Sequence, residues 1–576
     1  MLTVLIVIVA SLALALPLAR WLHVVASGAP SPLDRLFDPL DAGIHRLIGW
    51  DRAAPMGWRL WARWILTTNV VLGAAIYLIF LAQGALPLNP DGVKGMDWEL
   101  ALHTAASFIT NTNQQHYSGQ AQLSYLGQLA AVVTAQVVTP AVGLAAMFAA
   151  LRGLVGGAEG RRTDALGDTD LGSYPNDLVR SITRVLLPLA TIWALALTSQ
   201  GVPSTLHGAV VATPIDAAAG LTEQVIPVGP VAAMVAIKQL GTNGGGWYGP
   251  NSAVPLENPT PLSNILELIA IVLLPLACAL LIGRMTDRGL GRVAVASMLI
   301  LAVALCAPVV WLELGANPAL AGLGAAGPNW EGKELRLGVE STGLWATLTT
   351  MTSNGSVNGM HDSLAPLSGL FPLIGMFINS AFGGVGVGVI NLIVYLVLAV
   401  FVAGLLIGRT PELLGRKVEV KEVRVAALAS LLIPVCVLVP TALSFDLGLA
   451  NTSNPGPHGL SQVLYEYASA AANNGSGFEG LGDGTPWWNL TCAAVLVLAR
   501  FIPILAPLAI VGRLATKSAA PRTAGTLSVG SGAFLATLLG VIVTLQLLTY
   551  VPALALGPVA EHLAVRSDLS PAVEAK

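Results

Sequence analysis

Gly241-Thr242-Asn243-Gly244-Gly245-Gly246 is a polar, glycine-rich run in a chain that is otherwise soluble in lipid, and three runs resemble it. They are Thr110-Asn111-Thr112-Asn113, Ser353-Asn354-Gly355-Ser356 and Asn473-Asn474-Gly475-Ser476. They recur at roughly 110 to 130 residues, and a long fixed period marks a repeated structural unit. Each cassette follows a short helix-compatible stretch and precedes a long apolar one. Backbone outside helical hydrogen bonding is tolerated at membrane depth only where it is buried in protein or lines a water-filled path. Four such loops are enough to ring a dehydrated cation with carbonyls, so the pattern predicts an ion pore.

Composition agrees. The chain is 54% hydrophobic and 11% charged, with a mean hydropathy of +0.72, whereas a soluble domain carries about a quarter charged residues. This is the composition of a polytopic membrane protein. Cys278, Cys306, Cys436 and Cys492 lie far apart in apolar runs, with no CxxC pair, and read as apolar filler. His103, His116, His361 and His458 have no spacing suited to a metal, so no transition-metal site is expected and the histidines read as outer-loop structure.

Stretches long enough to cross a bilayer fall at 2–22, 64–83, 127–151, 184–200, 263–283, 293–313, 371–407, 425–445, 486–513 and 530–556. Threading the chain through these ten spans puts most of the basic connections on one side. Arg35 to Arg63, Arg152 to Arg184, Arg284 to Arg292, Arg409 to Arg424 and Arg513 to Arg522 share it, including Arg52, Arg161 and Arg522. The other side has only Lys94, Lys238, Lys333, Arg336, Arg566 and Lys576. The positive-inside rule makes the basic side cytoplasmic and places both termini and all four cassettes outside.

The outward connections hold the stretches 97–109, 230–240, 342–351 and 460–472, too short to span but long enough to re-enter halfway. The expected fold is all-α and polytopic: ten transmembrane helices, built as four span, pore-helix, loop, span repeats around a central filter, with one extra helix at each end. The expected boundaries are 1–25 for the N-terminal extra helix, 60–155, 180–290, 291–410 and 422–515 for the repeats, and 528–558 for the C-terminal extra helix. A half-helix entering from outside aims its negative C-terminal end at the pore centre, which favours a cation. Glycine in the cassettes allows left-handed backbone.

The filter candidates are Asn111, Thr112, Asn113, Gln115, Thr242, Asn243, Gly244, Gly245, Ser353, Asn354, Gly355, Asn473, Asn474 and Gly475. Their asparagine amides have two readings, facing the ion or bracing the loops from behind. The seventh apolar stretch is too long for one span and is interrupted around Gly383, Gly384 and Gly386, which reads either as close helix packing or as a break beneath the filter. Arg500 is a lone permanent cation within the ninth stretch, and reads either as a functional charge, the default for an intramembrane ion, or as an anchor that snorkels to the cytoplasmic interface.

The sequence closely resembles the A-subunit family of bacterial Kdp potassium-transporting ATPases, within the superfamily of Trk, Ktr and HKT potassium transporters. The resemblance rests on Ser107-Phe108-Ile109-Thr110-Asn111-Thr112-Asn113, on Ile237 to Gly246, and on Glu257-Asn258-Pro259-Thr260. Met360-His361-Asp362-Ser363, Gly408-Arg409-Thr410-Pro411-Glu412, Asn454-Pro455-Gly456-Pro457-His458-Gly459 and Pro552 to Pro558 carry the rest. It implies the potassium-binding, non-catalytic subunit of a high-affinity ATP-driven import complex in the bacterial inner membrane. K+ is then the transported ion, no organic cofactor is needed, and periplasmic K+ passes through an intramembrane tunnel to a P-type ATPase subunit. The implied partners are a KdpB-like ATPase subunit, small KdpC-like and KdpF-like subunits and the lipid bilayer, with no nucleic acid. The absence of a G-x-x-x-x-G-K-[ST] loop and of an Asp-Lys-Thr-Gly string fits a chain that does not itself hydrolyse ATP. Departures from the family pattern are Gln114 in place of an aromatic residue, Trp247-Tyr248 in place of two phenylalanines, Ala472 in place of asparagine, and Asn379 in place of an acid. The competing readings are a stand-alone Trk- or Ktr-like channel or symporter, and a polytopic membrane enzyme.

Overall fold

The computed structural model describes residues 2–49, 51, 54–155, 162–216, 220–379, 382–519 and 528–565. Of the basic residues used to orient the chain, Arg52, Arg161, Arg522, Arg566 and Lys576 lie outside these ranges. Among the described residues ten helices are long and apolar enough to cross a bilayer. They overlap the ten apolar stretches of the sequence. Pro261–Met285 is 83% buried along its apolar window and Leu2–Ser27 only 28%. Spans that adjoin the cassettes thus form an inner layer, and lipid-facing helices form an outer one.

Two spans differ from the hydropathy reading. The fourth begins at Tyr174 rather than 184, because Asp177 and Arg180 depress its apolarity. Both charges are absorbed locally: Asp177 pairs with Arg152, and Arg180 approaches Asp34 at 3.8 Å. The seventh stretch is two helices, Pro366–Ile378 and Val387–Ile407. Asn379 ends the first in a left-handed conformation at φ +41°, and Gly383 and Gly386 are also left-handed.

Four short helices enter among the spans: Trp98–Ile109, Val231–Leu240, Val339–Met351 and Gly456–Ala471. Each runs directly into one cassette. On the opposite, basic side lies a helix that hydropathy does not reveal, Asp34–Ile48. Its acids Asp34, Asp38 and Asp41 share one face at helical spacing, and all three meet the fully buried guanidinium of Arg184 at 3.2, 2.7 and 2.5 Å. A two-stranded ribbon, Val210–Ala212 with Gln224–Ile226, projects from the connection before the second short helix.

Candidate ion-binding site

The four short helices end alike. The residue after the last turn is left-handed in every case: Asn111 at φ +65°, Thr242 at +49°, Ser353 at +53° and Asn473 at +51°. Its N–H bonds back three residues, to the carbonyls of Phe108, Gln239, Thr350 and Ala470. The next N–H, from Thr112, Asn243, Asn354 or Asn474, reaches back five, to Ser107, Lys238, Thr349 and Ser469, at 2.9 to 3.1 Å. These paired bonds form a Schellman motif, built four times without glycine at its left-handed position. Left-handed backbone costs a β-branched residue about 1–3 kcal/mol. Thr242 is held there by the Asn111 amide on its carbonyl at 2.9 Å and by the Val385 N–H on its hydroxyl at 3.0 Å.

Two residues later the backbone is left-handed again, at Asn113 (φ +56°), Gly244 (+80°), Gly355 (+88°) and Gly475 (+105°), while the residues between keep negative φ. Alternating hand turns neighbouring carbonyls toward one side of the strand. The amides of all four strands are spent on the helices behind them. Among the described residues, the carbonyls of Thr112, Asn243, Asn354 and Asn474, and those of Asn113, Gly244, Gly355 and Gly475, receive no hydrogen bond.

The strands close into a ring. A Cβ on Gly244 would overlap the carbonyl oxygen of Asn354, one on Gly355 that of Asn474, and one on Gly475 that of Thr112. The circuit is completed where Asn113 stands in the glycine position, its own Cβ 2.7 Å from where a Cβ on Gly245 would lie. The four cassettes are buried apart from Gly475, which is half-buried.

Several asparagines brace the ring from behind. Asn354 Nδ2 donates to the Lys238 carbonyl at 3.0 Å and Asn474 Nδ2 to the Thr349 carbonyl at 2.8 Å, each tying a cassette to the preceding short helix. Asn473 Nδ2 donates to Thr112 Oγ1 at 3.1 Å. Thr139 Oγ1 donates to Asn111 Oδ1 at 2.8 Å, and Gln136 Nε2 to Asn113 Oδ1 at 2.9 Å. Gln115 lies outside the ring, clasping both the N–H and the carbonyl of Gly246 at 2.8 and 3.1 Å. Sequence reasoning missed a buried layer beneath the second cassette, where Lys238 pairs with Glu257, and Gln239 joins Glu267 at 2.8 Å to Ser356 Oγ at 2.8 Å. Lys238 appears there as an outer-side charge, yet its ammonium is fully buried.

On one side the ring opens into a polar vestibule of about 490 Å³, whose lining includes Gly355, Gly475, Glu466, Glu479 and Asp483. Burial pushes Glu479 up to about 7 and Asp483 up to about 6, the latter opposed by His116. On the other side the break between Pro366–Ile378 and Val387–Ile407 touches the second, third and fourth cassette regions and the helix that follows the first. Gly383 N–H donates to the Met351 carbonyl at 2.8 Å, and a Cβ on Gly384 would sit 3.6 Å from both Ser353 Cβ and Thr242 Oγ1. Gly386 packs against the Gly143 carbonyl on the helix Thr134–Leu154. Ser353 Oγ donates to Asn379 Oδ1 at 2.7 Å, and Asn379 Nδ2 to the Ala472 carbonyl at 3.3 Å. Asn379 thus links the third and fourth cassettes.

Arg500 does not touch the ring. It lies on Pro486–Ala515, one turn beyond Leu496, whose carbonyl receives Asn473 Nδ2 at 3.5 Å. Its side chain is buried and makes no hydrogen bond or ion pair among the described residues.

Comparison with known proteins gives a consistent answer. The sequence model of the family described as "KdpA: Potassium-transporting ATPase A subunit" matches residues 4–563. A "Potassium-transporting ATPase potassium-binding subunit" from Gloeobacter violaceus is 44% identical, covering 94% of each chain. Proteins with the same description from Alicyclobacillus acidocaldarius and Flavobacterium johnsoniae are 43% and 41% identical, covering 98% and 97% of this chain and 98% of each relative. The crystal structure of the potassium transporter TrkH from Vibrio parahaemolyticus aligns with a TM-score of 0.50 at 15% identity, covering 87% of this chain and 97% of that one. At that identity the likeness concerns the fold alone.

Proposed function

We propose, from the premise that this chain belongs to the potassium-transporting ATPase A subunit family, that it is the non-catalytic subunit that binds K+ and hands it to a partner. What supports the reading is that, among the described residues, the carbonyls of Thr112, Asn243, Asn354 and Asn474 and of Asn113, Gly244, Gly355 and Gly475, in four interlocked cassettes, receive no hydrogen bond. Buried carbonyls without partners are costly, and a dehydrated monovalent cation replaces their missing donors. The acidic vestibule draws cations toward the ring. The repeats are taken as 60–155, 180–290, 291–410 and 422–515, with the helices at 1–25 and 528–558 outside them.

The ion's further route is lateral. The break at Phe382 to Gly386 stands across the straight path and Arg500 repels a cation below it. To one side Asn379, Asn391, Tyr395, Pro503 and Gln546 line a cavity of about 40 Å³, room for about one water or ion. A P-type ATPase subunit receives the ion, small KdpC-like and KdpF-like subunits complete the assembly, and the chain sits in the inner membrane with both termini periplasmic.

Two measurements test this. The purified chain should bind K+ in preference to Na+ by equilibrium titration, and should show no K+-stimulated ATP hydrolysis by itself. Affinity purification from native membrane should bring a P-type ATPase chain with it. Selective K+ uptake by the isolated chain in liposomes, with no such partner recovered, would replace this reading with a self-sufficient channel or symporter.

A further inference from the structure

His116, Glu466 and Cys492 come from three distant parts of the chain: the loop after the first cassette, the helix Gly456–Ala471 and the helix Pro486–Ala515. All three are buried, and one donor atom from each lies within 4.8 Å of the others. The ring of His116 is held from several directions. Its Nδ1 meets Asn489 Oδ1 at 2.8 Å, its Nε2 meets Glu466 Oε1 at 3.2 Å, and its face stacks on His103 at 3.7 Å.

An amide oxygen only accepts, so the Nδ1–H of His116 donates to Asn489. In the neutral ring, Nε2 then carries a lone pair aimed at a carboxylate oxygen. Two electron-rich atoms at that separation call for a cation between them, either a proton or a metal ion. The spacing is that of a long hydrogen bond, and it suits the metal as well. With zinc-to-nitrogen and zinc-to-oxygen bonds of about 2.0–2.2 Å, the edge of a tetrahedron is about 3.3–3.5 Å, close to the 3.2 Å observed. A histidine that ligates through one nitrogen and donates from the other to an oxygen is the usual outer-shell arrangement of such sites. Cys492 adds a soft ligand, and the vestibule, which His116 and Glu466 line, provides entry and a water for the fourth position.

We infer that His116, Glu466 and Cys492 form a site for a thiophilic divalent cation such as Zn2+ or Cd2+, beside the first cassette in the wall of the vestibule. Binding releases the Cys492 thiol proton and any proton held between His116 and Glu466. Gln114, which donates to Glu466 and lines the same vestibule, couples the site to the ring. Set against the thiol proton released, the dication adds at most one net positive charge, and the metal stands beside the vestibule that leads to the ring, so it opposes entry of a monovalent cation from outside.

Cd2+ titrated into the full-length chain in detergent, read by thiolate-to-metal charge-transfer absorbance and by dialysis stoichiometry, tests the site without potassium or ATP. One Cd2+ per chain is expected. The band should vanish in Cys492→Ser and persist in Cys436→Ser, and Asn489→Ala should weaken binding by about 10- to 100-fold. A band that survives Cys492→Ser overturns the assignment. If Cys492→Ser does not elute as folded protein, His116→Asn and Glu466→Gln decide the matter, and wild-type affinity in both overturns it.

Discussion

Asn474 Nδ2 donates to the Thr349 carbonyl at 2.8 Å, so the fourth cassette is fastened to the helix that carries the third. Asn354 repeats the relation one unit earlier, on Lys238. Losing such a buried donor costs about 1–3 kcal/mol. Asn474→Asp keeps the shape and removes the donor, and should reduce discrimination between K+ and Na+ by about tenfold or more. Competitive binding measures it, and unchanged selectivity would show that the brace is dispensable.

The glycine positions separate strain from collision. Gly244, Gly355 and Gly475 combine left-handed backbone with a neighbouring carbonyl where a Cβ would stand, whereas Gly448, at φ +67°, has open space around it. Alanine at any of the first three should open the ring and lower K+ affinity or admit Na+. Gly448→Ala carries only the backbone cost of about 1 kcal/mol, and should lower the melting temperature slightly while leaving ion selectivity intact.

Arg500 tests the lateral route. At an effective dielectric near 20, two unit charges about 6 Å apart interact by roughly 3 kcal/mol, enough to bias the ion's choice of exit about a hundredfold. Arg500→Gln should lower coupled uptake or let K+ leak while binding at the ring stays near wild type. Flux measurements on vesicles containing the whole complex distinguish these, and wild-type coupling without leak would remove Arg500 from the path.

A pH-dependent clamp joins the short helix of the fourth cassette to its surroundings. His458 meets Asp362 and Glu561 at 2.9 Å each. Burial lowers its pKa, but the hydrogen bonds to those carboxylates outweigh burial and raise it from 6.5 to about 10. The stabilisation is complete below the unfolded value, declines as pH rises past 6.5, and is gone above about 10. Thermal unfolding in detergent should therefore soften from pH 7 to 10, and His458→Gln should flatten that dependence. Parallel pH profiles in both proteins would contradict the clamp.

Hydropathy carried most of the architecture into view, because a span must be apolar along its whole length and a loop at membrane depth must be polar for a reason. The cassettes were legible for the same cause. The terminal Schellman motifs were not: the glycine pattern points to Gly244, Gly355 and Gly475, yet Asn111, Thr242, Ser353 and Asn473 are left-handed as well, held by hydrogen bonds from outside their own segments. The helix Asp34–Ile48 escapes hydropathy because one of its faces is spent on Arg184. Asn379 reads as a lost charge, whereas its amide fastens two cassettes. His116, Glu466 and Cys492 are separated by 350 residues or more from the first to the others, and no local spacing reports that the ring closure brings them together.

The break at Phe382 to Gly386 is pinned to Met351, Thr242 and Gly143 at once, so its place against the second and third cassettes is fixed. On the lateral route proposed above, an ion turned aside there travels parallel to the bilayer plane. Displacement in that direction does no work against the transmembrane potential, whereas each elementary charge crossing the full field exchanges about 2.3 kcal/mol per 100 mV. On that proposal the sideways leg is electrically silent. Voltage dependence of transport would then arise from the descent through the vestibule into the ring, or from the partner's own release step.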